Sequence, residues 1–238
     1  MAKNKTKSTS KSKKRKIWAK IIRIISYSTL VFVLLSILSV FIYIWVNPPI
    51  TPLMIIRKIE DGNKINKTWV ELEKISPNLI TAAVAGEDAN FMNHSGFDFE
   101  AIEKAIEKNE SGKKIRGGST ISQQVAKNVF LWPNRSWIRK GFEAYFTLLI
   151  EIFWSKERIM EVYLNVIEMG DGIYGAEAAS QKYFKKSASK LNINESALLT
   201  ACYPNPRIYF PDKPSATVIY KKNIILRNMS RIKRVKFD

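Results

Sequence analysis

The chain has 238 residues, 39 Lys and Arg against 21 Asp and Glu, a formal net charge of +18, one cysteine and one histidine. A lone cysteine excludes an internal disulfide, and with a lone histidine it supplies no zinc ligand set. Ten of the basic residues fall in the first 23 positions, which hold no acid; without that tail the charge is +8, so the basicity is not a nucleic-acid signature and no nucleic-acid partner is expected.

The stretch after the tail explains it. Residues 24–46, "IISYSTLVFVLLSILSVFIYIWV", carry no charge over 23 positions, enough to cross a bilayer as a helix. The run ends in Tyr43 and Trp45, then "NPPITP", with no small-residue cleavage site, so it reads as a retained anchor and not a secretory leader. The basic tail, residues 1–23, is expected to stay in the cytoplasm, which puts everything after Val46 outside the inner membrane. Residues 47–75 read as a linker and the start of the extracytoplasmic domain, with a short strand or helix in 53–75. Residues 76–238 read as the main domain.

That domain reads as mostly α. Ser76-Pro77 predicts an N-cap and first helical turn, opening a helix to about Phe91. Asp98 predicts a cap for a helix through "EAIEKAIEKN", followed by the basic loop "ESGKKIRGG". Ser119 is placed to cap "TISQQVAKNVFL". A helix follows from about Trp137 to Trp154, then one after Ser155 through "KERIMEVYLNVI". The Gly-rich "EMGDGIYG" connects to "AEAASQKYF", and Asn192 with Glu195 forms a capping-box pattern before "ESALLTACY". A last basic helix is expected from about Ala216 to Val235. There is no internal repeat and no series of alternating strands. Cys202 reads as a small buried apolar residue.

Three stretches carry chemistry. In "AVAGEDANFMNHSGFD", Ile80, Val84, Glu87 and Phe91 share one helix face, so Glu87 lies in line with an apolar stripe. Burial there disfavours the charged carboxylate, which suits a general base near neutral pH; the alternative is a structural Glu paired with a buried Arg. His94 reads as a hydrogen-bonded structural residue. In "RGGSTISQQVAKN", Gly117-Gly118 allows close backbone approach, and Ser119 and Thr120 put hydroxyls and N–H groups at a helix start beside Lys113, Lys114, Arg116 and Lys127. Thr120, Gln123, Gln124 and Lys127 share a polar face, with Ile121, Val125, Val129 and Trp132 roughly opposite. A phosphate or pyrophosphate ligand accounts for both the glycines and the cations. In "NRSWIRKGFE", Arg135, Arg139 and Lys140 crowd a helix start, where cations oppose the dipole unless an anion compensates. Glu143, four residues after Arg139, is one such partner.

"EDANFMNHSGFD", "GGSTISQQVAKN", "RKGFE" and "KERIMEVYLN", in this order, resemble the signature blocks of the peptidoglycan glycosyltransferases, which polymerise lipid II. The match covers roughly residues 76–210, and the short chain resembles the family's monofunctional members. "SASK", Ser187 to Lys190, has no accompanying K-T-G triplet and is taken as chance. The resemblance implies a lysozyme-like helical domain with a small membrane-facing lobe. It implies Glu87 as general base and Glu143 as second carboxylate, supporting the leaving-group site or a bound cation. It places Lys127, Arg135, Arg139 and Lys140 on the donor pyrophosphate, and Ser119, Thr120, Gln123, Gln124 and Asn128 along the donor sugar and phosphate. Asp88 and Asn165 look structural. Lys221 stands where the family usually has Arg, so the charge is kept and the planar fork lost. No metal ligands are assigned, although Mg2+ or Mn2+ is compatible with the resemblance. Expected partners are lipid II, the nascent lipid-linked glycan, the bilayer and other cell-wall synthesis proteins. The competing readings are a peptidoglycan-cleaving lysozyme-like or lytic enzyme, which would not need the cations, and a non-catalytic anchored scaffold.

Overall fold

The computed structural model describes residues 5–62, 64–101, 103, 118–134, 136–232 and 235–237. The chain forms two compact units, Met1–Trp45 and Val46–Asp238. The first is a single helix, α1, Lys5–Ile42. Its segment Arg15–Ile42 is long and apolar enough to cross a membrane. The helix ends four residues before the predicted Val46, and residues 43–45 form a turn.

The second unit is helical. Its helices are α2 (Pro52–Asp61), α3 (Pro77–Glu87), α4 (Ile121–Phe130), α5 (Trp137–Phe153), α6 (Lys156–Val166), α7 (Ala176–Phe184), α8 (Ile193–Cys202) and α9 (Ala216–Met229). Residues 53–75 hold both a helix and a strand. "EMGDGIYG" is a hairpin, not a plain connection: β2 (Glu168–Gly170) runs antiparallel to β3 (Ile173–Tyr174), which pairs in parallel with β1 (Asn66–Lys67). These strands are too short for a two-residue alternation to register in sequence. Gly172 and Gly175 have positive φ, and a Cβ at Gly175 would lie 2.8 Å from the Asn165 carbonyl oxygen. Asn165 is structural, as its motif suggests: its amide accepts from Val70 N–H and donates to Val70 and Glu161 carbonyls, all at 2.8–2.9 Å.

Small residues bring α3, α8 and α9 together. Ala82, Ala85, Ala197, Ala201, Cys202, Val218, Ile225 and Met229 form one buried cluster, and a Cβ at Gly86 would meet Thr200 Cγ2 at 2.8 Å. Close backbone approach beside Glu87 therefore depends on Gly86. Cys202 is buried as expected, and burial pushes its thiol up to about 12, far from reactivity. On the other side of α4, Phe130 stacks on Phe146 of α5 at 4.5 Å.

Two helix ends differ from the pattern in the sequence. α3 stops at Glu87, not near Phe91, because Asp88 leaves the helical backbone conformation and its carboxylate serves groups elsewhere. Phe91 still reaches the core, from a turn. α9 stops at Met229, capped by the Ser230 N–H to Leu226. Asp98 accepts the Ala101 N–H at 2.8 Å, as its predicted cap requires. Most of that helix, and the loop carrying Lys113, Lys114, Arg116 and Gly117, lie outside the described residues, as does Arg135.

Candidate active site

The site is assembled where α3 ends and α4 begins. Asp88, buried at the C-cap of α3, accepts the Ile121 N–H of α4 at 2.9 Å and meets His94 Nε2 at 2.9 Å. His94 Nδ1 accepts the Gly96 N–H at 3.1 Å, so the ring carries its proton on Nε2 and donates it to Asp88. His94 and Asp88 are thus structural: they lock the two helices that bear the site.

The cap of α4 corrects two expectations. Thr120, not Ser119, is the N-cap; its hydroxyl accepts the Gln123 N–H at 3.2 Å and donates to the Gly96 carbonyl at 2.7 Å. Gln123 Oε1 accepts the Thr120 N–H at 2.9 Å in return, completing a capping box. Both side chains are buried in that cap and do not line the cleft. The N–H groups of Thr120, Ile121 and Gln123 are all taken by protein oxygens, so these three are closed to the anion that the helix start suggested. Nearby side chains supply cations instead.

Those side chains line a cleft of about 580 Å³. Its walls include Ser119, Gln124, Lys127, Asn128, Arg139, Lys140 and Glu143, so the structure brings together these seven of the eleven candidate residues. Ser136 caps α5 through the Arg139 N–H at 3.1 Å, which sets Arg139, Lys140 and Glu143 on the first turns. Glu143, only 3% exposed, accepts from Arg139 Nη1 at 2.8 Å with Oε2 and from Lys140 Nζ with Oε1. That carboxylate offsets the unfavourable placement of two cations at a helix N-terminus. Arg139 is 8% exposed, and its Nε is buried with no hydrogen-bond partner among the described residues. Such a donor is costly unless an acceptor meets it.

Glu87 is half-buried and is not itself among the residues lining the cleft. It is one side chain away: Gln124, which lines the cleft, donates Nε2–H to Glu87 Oε2 at 2.9 Å. Burial raises the Glu87 carboxyl above the ordinary carboxylate range, against the pull of the Gln124 hydrogen bond and the charges of Lys127 and Lys221; Asp88 adds to the rise. No Arg pairs with it among the hydrogen bonds and ion pairs of the described residues. Lys221, whose role the sequence left open, sits with its Nζ 4.7 Å from the Tyr209 ring centroid and acts on Glu87 through charge alone.

The cleft also has walls that the sequence motifs did not single out. Tyr163 and Tyr203 line it, as do Arg57, Glu168 and Arg207. Arg207 pairs with Asp61 at 3.0 Å and Asp171 at 3.1 Å. Tyr163 comes from α6. Arg57 comes from α2, in a stretch with no motif. Trp132, expected to pack, is 39% exposed and faces the cleft beside Phe142.

Comparison with known proteins gives the context. The profile of the Transglycosylase family matches residues 54–230. The chain is 50% identical over 221 residues to a biosynthetic peptidoglycan transglycosylase of Bdellovibrio bacteriovorus, covering 91% of this chain and 88% of that one. It is 54% identical over 205 residues to the protein of that name from Caulobacter vibrioides (86% and 89% covered), and 51% identical over 218 residues to that from Bacteroides thetaiotaomicron (90% and 88%).

Proposed function

The chain belongs to the transglycosylase family, and from that premise we propose that it polymerises peptidoglycan glycan chains from lipid II at the outer face of the cytoplasmic membrane. As a peptidoglycan glycosyltransferase it builds glycan; the lytic reading is not favoured. The observation that carries the mechanism is the pairing, across one cleft and one glutamine, of a proton-hungry carboxylate with a wall of fixed cations.

In the proposed step, Glu87 takes the proton from the 4-hydroxyl of the lipid II acceptor. The hydroxyl oxygen attacks the anomeric carbon of the lipid-linked donor, and the bond from that carbon to the pyrophosphate oxygen breaks. The electron pair leaves with the pyrophosphate, so one displacement inverts the centre and gives a β-1,4 link. A pyrophosphate leaving group needs charge stabilisation more than a proton, which Lys127, Arg139 and Lys140 supply. Preorganised charge of this kind needs no rearrangement during the reaction. We assign Arg135 to the same role on its motif. Ser119, Gln124 and Asn128 are proposed to contact the donor sugar and phosphate, while Thr120 and Gln123 act by holding the α4 cap.

The residues at Glu143 do not fit a resident divalent cation, since each carboxylate oxygen already meets a cationic nitrogen. The apolar helix α1 is proposed to anchor the protein with its basic N-terminus in the cytoplasm and the catalytic unit outside. There it would meet the nascent glycan and other cell-wall synthesis proteins.

The test is an assay of the full chain with labelled lipid II in detergent, with and without Mg2+. Long glycan that a muramidase cuts back to disaccharide units is the expected product. Release of muropeptides from purified sacculi, with no polymer from lipid II, would return the lytic reading.

A further inference from the structure

Gln124 is the one side chain that touches Glu87, lines the cleft and is itself gripped from behind. Its Nε2 donates to Glu87 Oε2 at 2.9 Å, and its Oε1 accepts from the Tyr163 hydroxyl at 3.4 Å. The amide orientation follows from chemistry: a carboxylate accepts only, so the NH₂ end must face Glu87 and the carbonyl end must face a donor. Tyr163 is that donor. It is fully buried on α6, and burial holds its phenol well above the ordinary tyrosine range, so the hydroxyl keeps its proton wherever the enzyme works. Tyr163 is fixed in turn by the edge of Tyr203, with ring centroids 6.4 Å apart.

We propose that Gln124 is a positioning residue, locked in one amide orientation by Tyr163, that occupies Glu87 Oε2 and so leaves Oε1 as the oxygen that receives the acceptor's proton. This extends the reading of Glu87 as general base and rests on it. Three helices contribute one member each: α3 ends in Glu87, α4 carries Gln124 and α6 carries Tyr163. A rotated Gln124 would set its carbonyl against the carboxylate and repel it; the tyrosine prevents that rotation. The same amide stabilises the ionised form of a carboxylate that burial otherwise drives toward protonation. The other groups that bear on Glu87 are Asp88 on its own chain segment, Lys127 on α4, Lys221 on α9, and Tyr203 beside Tyr163. Among the described residues none of these makes a hydrogen bond to a Glu87 oxygen, and the amide is the one directional contact there.

The experiment uses the full-length protein in detergent micelles. The Glu87 carboxyl is titrated by ¹³C NMR, its signal assigned by loss in Glu87→Gln, in wild type, Gln124→Met and Tyr163→Phe. Polymerisation rates against pH are recorded on the same samples. Gln124→Met, which keeps side-chain length without the amide, is expected to move the Glu87 midpoint and the acid limb of the rate profile upward together by about one pH unit, the worth of one hydrogen bond to a charged group. Tyr163→Phe is expected to move both in the same direction by less, because the amide remains but is free to turn. Melting temperatures show whether each variant is folded at the pH of measurement. Folded variants that lose rate equally at every pH, with the Glu87 midpoint unmoved, would overturn the proposal. If the midpoint moves while the acid limb stays, Gln124 acts on Glu87 but Glu87 is not the base, and it is the parent reading that fails.

Discussion

Glu87 is half-buried and Glu143 buried, and their surroundings make them different reagents. Glu143 is held by two cations, Arg139 and Lys140, and its charge is spent on fixing them at the start of α5. Glu87 has a neutral amide on one oxygen, and burial outweighs the pull of that amide and of the Lys127 and Lys221 charges, so its affinity for a proton rises. The contrast shows how one side-chain type is given two characters by what stands next to it: an organiser of charge in one case, a carboxyl that favours its proton, and the proposed base, in the other.

The comparison breaks first at Arg139. Arg139→Ala leaves the Glu143 carboxylate buried with Lys140 alone, a change expected to cost about 3–5 kcal/mol of stability. It also removes the donor Nε, so the rate on lipid II is expected to fall by about 10²-fold or more. Denaturant unfolding and the polymerisation assay read the two effects separately. Lys140→Ala is milder, since this side chain is 45% exposed. About a tenfold loss is expected, expressed mainly as weaker substrate binding and deepened by added salt, because exposed charge is screened.

Stability sharpens the contrast from the other side. The carboxyl of Glu87 is raised in the folded state, so its contribution is fully present below the unfolded carboxylate range and is lost as pH rises through the raised value. Glu87→Gln removes that loss. The variant is expected to melt with wild type near pH 4 and above it at pH 8, with the gap widening as pH rises. A gap independent of pH would mean the carboxylate is well solvated. Smallest of the expected effects is Lys221→Met. Losing its positive charge should move the acid limb of the rate profile upward by a fraction of a pH unit, in the direction of Gln124→Met.

Much of this division was legible in the residues. The spacing of Ile80, Val84 and Glu87 placed the proposed base in line with a buried stripe, and the Arg139–Glu143 spacing of four placed an ion pair on α5. Lone His94 and Cys202 read correctly as structural. What failed to show was whatever depended on distant segments meeting. Thr120 and Gln123 looked like ligand contacts because a capping box and a polar binding face use the same residue types. The anion site at the α4 start vanished because Asp88, 33 positions earlier in the chain, fills it. Arg57, Glu168 and Arg207 reach the cleft from α2, a two-strand hairpin and a proline-rich loop, none of which carries a periodic signal. The hairpin strands β2 and β3 were missed because two or three residues cannot display an alternation.

The most direct test of the account is the Glu87→Gln variant assayed at neutral pH with labelled lipid II, alongside a binding measurement on the same preparation. The account expects substrate affinity near that of wild type and polymerisation reduced by about 10²–10⁴-fold, the usual worth of a positioned general base. Polymer formed at the wild-type rate would contradict it and remove position 87 from the chemistry.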